Sequence, residues 1–258
     1  MKVVLFCGGL GMRLRDYSDS IPKPMVEIGY RPILWHVMKY YASFGHKDFI
    51  LCLGYKADVI KRYFVDYQEF ISNDFVLKGD DQPQMLASDL EDWKITFVDT
   101  GYDSCIGERL RRVREHLDGE EMFLANYSDN LTDFQLPELI STVEDSDAVA
   151  GFITVPPPMS FHITKTDQDG KVKGILESKN ADLWINGGCF ALRNEIFDFL
   201  QEGEELVIEA FARLIEQQRL ISVRHTGFWQ NMDTFKDRVV LNEMHEHGNA
   251  PWQVWNRD

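Results

Sequence analysis

The amino-acid sequence predicts an α/β fold organised around a doubly wound sheet. Apolar runs of strand length recur along the chain, as expected of parallel strands covered on both faces. Amphipathic stretches with helical spacing lie between the first of them. The resulting order of strand, long loop, helix, strand and helix points to crossover connections and a parallel sheet. The first strand is "KVVLFC" at 2–7. From Pro32 to Phe44, Ile33, Val37, Tyr40, Tyr41 and Phe44 follow helical spacing, and Gly45 is a stop signal. "DFILCLGY" (48–55) predicts a second buried strand and "ADVIKRYFVDYQEFI" (57–71) a second helix. Residues 72–92 are polar and read as a loop. "KITFVDT" (94–100) resumes the sheet, and "GERLRRVREHL" (107–117) predicts a basic amphipathic helix. "EEMFLANYSD" (120–129) and "DAVAGFITVP" (147–156) are further strands. Beyond Pro156, "FHITKTDQDGKVKGILES" carries a DG turn between alternating segments, a hairpin signal. "NGGCFALR" (186–193), a helix over 204–218, "LISVRHTG" (220–227) and a helix from Thr234 complete the chain.

Composition narrows the function classes. At 258 residues with 44% apolar content, the chain can bury a substantial core. A formal net charge of −15 argues against general nucleic-acid binding, which needs a basic footprint. It leaves room for a small phosphorylated ligand held by a local cationic cluster. No apolar run approaches the roughly 20 residues of a membrane-spanning helix, and "MKVVLFCGG" does not read as a signal peptide. Cys7, Cys52, Cys105 and Cys189 are far apart, which argues against a zinc site. Cys7, Cys52 and Cys189 lie in apolar stretches and read as buried thiols. A cytoplasmic enzyme fits these features.

The chemistry concentrates at a few positions. "GGLGMRL" follows the first strand, so Gly8, Gly9 and Gly11 belong at the carboxyl edge of the sheet. Glycines there let backbone N–H groups approach phosphate oxygens, and Arg13 offers a cationic fork. A tight strand-to-helix turn with a solvated Arg13 is the alternative. The loop matches neither G-x-x-x-x-G-K-[ST] nor the third glycine of the dinucleotide fingerprint, which disfavours a dinucleotide-dependent oxidoreductase. Lys23, in "IPKPM", sits between two prolines that stiffen its backbone, and a lysine held beside a glycine loop suits a phosphate. Asp129 ends a strand in "LANYSDN", and Asp233 stands in "GFWQNMDT". Carboxylates at strand ends can hold Mg²⁺; taken singly, each also fits a turn or helix-capping role.

The combination "GGLGMRL…IPKPMVEIGYRPILWHVMKYY" resembles the N-terminal signature of the sugar-1-phosphate nucleotidyltransferases. "VEIGYRPILWHVMKYYASFG", "GYKADVIKRYF", "VDTGYDSCIGERLRRVREHL", "WINGGCFAL" and "GFWQNMDT" are similar to the glucose-1-phosphate cytidylyltransferase subfamily, from Met1 to about Glu243. The resemblance implies a single domain over 1–258 with a three-layer α/β/α, Rossmann-like, mixed but mainly parallel sheet. Its nucleotide-binding half would span about 1–130 and its acceptor-binding half about 131–258. It further implies that CTP and a small phosphorylated acceptor are joined with Mg²⁺ assistance and loss of pyrophosphate, and that the protein is a homo-oligomer. Gly8, Gly9, Gly11, Met12 and Arg13 would then cradle the nucleotide. Arg13 and Lys23 would act in catalysis, and Asp129 and Asp233 would hold the metal. Thr100, Gly101, Arg109 and Arg111 would contact cytosine or the triphosphate. His162, Glu177, Lys179, Asn186 and Trp229 would form the acceptor side.

Three departures from the family pattern stand out. Gly-Asp-Gly becomes Ser128-Asp129-Asn130, Phe-Gly becomes Phe161-His162, and Glu-Lys-Pro becomes Glu177-Ser178-Lys179. They fall on the acceptor side and raise two alternatives. One is a cytidylyltransferase for a non-glucose sugar phosphate or a non-sugar phosphate or phosphonate; the other is a non-catalytic nucleotide-binding regulator. The joint presence of Arg13, Lys23, Asp129 and Asp233 favours an enzyme.

Overall fold

The computed structural model describes residues 1–9, 21–79, 82–88, 90, 92–158, 162–177 and 182–256. Its central sheet holds β1 (Lys2–Phe6), β2 (Asp48–Leu53), β3 (Lys94–Asp99), β4 (Met122–Asn126), β5 (Ala150–Val155), β6 (Ile185–Arg193) and β7 (Leu220–Arg224). The strand order is β7-β5-β6-β4-β1-β2-β3. β6 runs antiparallel to β4 and β5, and every other neighbouring pair is parallel. Among the described residues the α-helices are α1 (Ile33–Ser43), α2 (Ala57–Val65), α3 (Ile106–Arg112), α4 (Leu136–Glu144), α5 (Phe211–Glu216) and α6 (Phe235–Glu246).

Strand alternation sends successive side chains to opposite faces of the sheet, and two cores result. Val3 and Leu5 pack with Val37, Met38, Ile60, Leu139 and Leu241, from α1, α2, α4 and α6. Val4 and Phe6 pack with Leu110 and Phe211, from α3 and α5, and with Leu117 and Phe197. The apolar runs of β1 and β2 are continuous because helices cover both faces. Burial of each such side chain contributes about 1.5–3 kcal/mol. From β1 the chain steps to β2 and β3 on one side, then returns to β4 on the other. The carboxyl ends of β1 and β4 thus flank the point where the strand order reverses, the place where open α/β sheets bind ligands.

Several predicted elements change in detail. The helix expected over 57–71 stops at Val65, and Glu69–Ile71 forms a separate 3₁₀ turn. The helix expected over 107–117 is α3 followed by a 3₁₀ turn at Arg114–Leu117. The 204–218 helix opens with a π-helical turn, Leu206–Ala210, before α5. The expected loop over 72–92 contains a short antiparallel pair, Phe75–Val76 with Gln84–Met85. Lys23 opens a 3₁₀ turn, Lys23–Met25. The DG hairpin forms as His162–Thr166 against Val172–Glu177. Cys7, Cys52 and Cys189 are buried, whereas Cys105 is half-buried. Among the described residues, no helix is long and apolar enough to cross a membrane.

Candidate active site

A cleft of about 510 Å³ opens at the carboxyl edge between β1 and β4. Its lining includes Gly8 and Gly9 after β1, Lys23, Asp129 after β4, and Asp233. Two short strands bring the distant carboxylates together. Asn130–Thr132 pairs antiparallel with Trp229–Asn231, and the Met232 N–H donates to the Asp129 carbonyl at 2.9 Å. Asp233 then emerges beside Asp129. The capping role open to Asp233 falls instead to its neighbour: Thr234 caps α6 in a capping box with Asp237. The Asp237 Oδ2 also accepts from the Asp233 N–H at 3.1 Å, and Asn231 Nδ2 donates to Asp233 Oδ2 at 2.6 Å. The Asp233 side chain is left to face the cleft from a fixed backbone.

Lys23 closes the constellation. Pro24 and Met25 of its 3₁₀ turn are buried, so the turn is anchored and the side chain projects into the cleft. Lys23 Nζ donates to Asp129 Oδ2 at 2.6 Å and also to Asp233 Oδ1. Burial acts to lower the lysine's pKa, but the two carboxylates outweigh it and hold the ammonium above its ordinary value. Burial pushes the Asp129 carboxyl up, and the like charge of Asp233 adds to that; Lys23 opposes without cancelling it. The pair of carboxylates therefore embraces one cation, and that cation is the lysine ammonium.

Ser128 explains one departure from the family pattern. Its φ of +65° lies in the left-handed region, a conformation that glycine adopts without penalty. The serine is held there because its N–H donates to Asn126 Oδ1 at 2.8 Å and its hydroxyl donates to the Phe6 carbonyl at 2.8 Å. The Asn130 side chain turns inward to Asn126 and Cys189. Both replacements direct their polar groups into the protein.

The nucleotide-side residues divide. Arg109 is 2% exposed and donates to the carbonyls of Leu53, Gly101, Gly8 and Tyr102 and to Thr100 Oγ1. It ties together the loops that follow β1, β2 and β3. A Cβ at Gly8 would lie 2.0 Å from Arg109 Nη1, so the glycine permits this approach. Thr100 is fully buried, and its hydroxyl donates to the Leu53 carbonyl at 2.8 Å. Arg111 pairs with Glu108 at 3.0 Å and is not among the cleft-lining residues. Gly11, Met12 and Arg13 lie outside the described residues.

Of the residues expected on the acceptor side, Asn186 and Trp229 lie near one another, although neither is among the cleft-lining residues. Because β6 is antiparallel, its first residues reach the same edge as the end of β4. Asn186 Nδ2 donates to the Tyr127 hydroxyl at 3.1 Å, and Trp229 Nε1 donates to the Gly187 carbonyl at 2.8 Å. His162 and Glu177 face each other in register on the hairpin; both are exposed, and neither lines the cleft. Lys179 lies outside the described residues. Sequence reasoning missed Tyr127 and Glu205, which both line the cleft. Tyr127, two residues before Asp129 at a strand end, carried a usable signal. Glu205, in "GEEL", did not.

Comparison with known proteins identifies relatives of this chain. Residues 2–246 match the family model described as nucleotidyl transferase. A glucose-1-phosphate cytidylyltransferase of Salmonella typhi is 38% identical over 99% of this chain and 100% of its own length. A probable glucose-1-phosphate cytidylyltransferase of Bacillus subtilis is 37% identical over the same shares. Among solved structures, a putative glucose-1-phosphate thymidylyltransferase from Bacillus anthracis superposes with a TM-score of 0.68 at 16% identity, covering 95% of this chain and 94% of that one. This chain belongs to the nucleotidyl transferase family, within the sugar-1-phosphate nucleotidyltransferases, and has the nucleotide-diphospho-sugar transferase fold.

Proposed function

We propose that this enzyme is a magnesium-dependent cytidylyltransferase that joins CMP from CTP to a sugar 1-phosphate of the glucose 1-phosphate type and releases pyrophosphate. The observation that carries the reading is the convergence of Lys23, Asp129 and Asp233 beside Gly8 and Gly9 in one cleft. The names of the similar proteins supply the nucleotide and the acceptor.

In the reaction, an acceptor phosphate oxygen attacks the α-phosphorus in line. The bond from that phosphorus to the β-phosphate oxygen breaks, and pyrophosphate leaves with the electron pair. Such a transfer needs alignment and charge neutralisation rather than a covalent intermediate on the protein. Asp129 and Asp233 fit a magnesium ion, because hard carboxylate oxygens already flank a cation and Mg²⁺ commonly takes one or two carboxylates. Among the described residues no group of three or more His, Cys, Asp or Glu side chains forms a metal site, so phosphates and water would complete the coordination. When bound, the ion supplies charge neutralisation for the phosphate oxygens. Lys23 adds a full positive charge at the same place, and the N–H groups of the glycine loop orient the triphosphate.

The test is pyrophosphate release from CTP, UTP, GTP and dTTP with Mg²⁺. The acceptor panel holds hexose 1-phosphates, other sugar phosphates, non-sugar phosphates and phosphonates. Release is expected with CTP and a hexose 1-phosphate. No release with any pair would overturn the reading in favour of a non-catalytic binder.

A further inference from the structure

Glu205 stands in the wall of the cleft with no assigned task. Its neighbour Glu204 has one: Arg213 Nη1 donates to Glu204 Oε2 at 2.6 Å and to the Phe199 carbonyl at 2.7 Å. Glu205 is half-buried and lines the cleft, yet its carboxylate has no hydrogen-bond or ion-pair partner among the described residues. The backbone that carries it is fixed. The Glu205 N–H donates to Glu209 Oε2 at 2.8 Å as the chain enters the π-helical turn. Cys105 Sγ donates to the Glu204 carbonyl at 3.0 Å. A Cβ at Gly107 would lie 2.1 Å from that same carbonyl oxygen, so α3 packs directly on this strip. π-helical turns within helices are frequent at functional sites.

An ionised carboxylate is only an acceptor, and leaving one desolvated without a donor is costly. A ligand that fills this cleft must therefore bring a donor to Glu205. Triphosphate and acceptor phosphate bring only negative charge, and they belong with Lys23 and the glycine loop. The Glu205 side of the cleft also holds Tyr127. Since Tyr127 accepts from Asn186, its own proton is free to be donated. An acceptor carboxylate beside a donor phenol is the pairing that recognises hydroxyl groups, which both donate and accept.

We propose that Glu205 is a specificity-determining residue that accepts a hydrogen bond from a sugar-ring hydroxyl of a bound substrate. The hydroxyl belongs either to the nucleotide's ribose or to the acceptor's sugar ring. The inference rests on the nucleotidyl-transfer reading for the identity of the ligands, and binding measurements allow it to be tested without turnover.

The experiment compares wild type, Glu205→Gln and Glu205→Ala by calorimetry and, in parallel, by pyrophosphate release. One arm sets CTP against 2′-deoxy-CTP. A second sets glucose 1-phosphate against its 2-, 3-, 4- and 6-deoxy forms, measured with CTP present. A third sets CTP against UTP. In the wild type, removal of the relevant hydroxyl should weaken binding about ten- to a hundredfold, as for a hydrogen bond to a charged group. In Glu205→Ala that ratio should fall towards one, because use of the hydroxylated partner drops while the deoxy partner is little changed. The arm that collapses identifies the ring. Three results would overturn the proposal: equal weakening of hydroxylated and deoxy partners, ratios unchanged in both variants, or a collapse confined to CTP against UTP. A wild type that binds none of these ligands overturns it too. Hydroxyl-dependent binding without pyrophosphate release would support Glu205 and refute the catalytic reading alone.

Discussion

At the scale of single residues, Lys23 has two partners that compete with different outcomes. Its ammonium bridges Asp129 and Asp233, the carboxylates proposed for the metal. Lys23→Met should lower kcat by about a hundred- to a thousandfold, the usual effect of removing one charge-stabilising group. The same substitution should tighten Mn²⁺ binding in the absence of nucleotide, measured by electron paramagnetic resonance, because an internal competitor is gone. Asp129→Asn should weaken both. Ser128 supports a second prediction. Ser128→Ala keeps the left-handed backbone but leaves the Phe6 carbonyl without its donor, a loss of about 1–2 kcal/mol. Ser128→Gly loses the same bond but relieves about 1 kcal/mol of backbone strain. Its melting temperature should therefore exceed that of Ser128→Ala. These residues were legible to different degrees. Lys23, Asp129 and Asp233 sit in motifs that announce them, whereas the inward aim of Ser128 and Asn130 depends on which acceptor lies behind each side chain. The polar groups of both side chains turn into the protein rather than towards a ligand.

At the scale of elements, the geometry of the cleft depends on pieces too short to carry a periodic signal. Asn130–Thr132 and Trp229–Asn231 have three residues each, and alternation needs more than that to be read. The missed helix α4 is a different case. "LPELISTVE" places Leu136, Leu139 and Val143 on one buried stripe, with Pro at the first turn, so its signal was present in the chain. Arg109 shows the opposite limit. It belongs to a run that looks like a basic solvated face, yet it is buried against the backbone carbonyls that accept its hydrogen bonds, while its neighbours Arg111 and Arg112 pair with Glu108. The Glu204–Arg213 contact anchors the strip that bears Glu205. Hydrogen bonding from Arg213 holds the Glu204 carboxyl below its ordinary range. A depressed folded value stabilises above the unfolded pKa, near 4.3, and the effect is lost as pH falls through the folded value. Glu204→Gln should accordingly lower the melting temperature at pH 7, and the difference from wild type should fade on acidification below about pH 4.

At the scale of the whole molecule, the two-faced sheet was readable from apolar runs, but its strand order was not. Nothing local in "NGGCFALR" states that β6 runs against its neighbours, since that depends on where the preceding chain re-enters the sheet. The packing of the C-terminal segment was equally hidden. Trp252 is fully buried, and its indole N–H donates to His36 Nδ1 at 3.3 Å. His36 Nε2 faces the Ile28 carbonyl at 3.1 Å, so the ring holds its proton on Nε2 and bridges α1 to two other segments. Trp252→Ala should cost about 3–5 kcal/mol, a fall in melting temperature on the order of 10 °C for a chain of this size. Calorimetric melting checks it, with far-UV circular dichroism to confirm the folded baseline.

The Lys23 bridge also has a bearing on how the protein reaches its native state. Its contacts join residues 106 and 210 positions apart along the chain. Closing loops of that length loses chain entropy before any contact repays it, and non-local pairings are slow to form. The Lys23–Asp129–Asp233 cluster is thus expected to complete late in folding, and it cannot be whole in any species in which only one half of the chain has condensed. Partly folded molecules hold no assembled site with which to consume nucleotide, and recovery of activity marks the completion of folding rather than its onset.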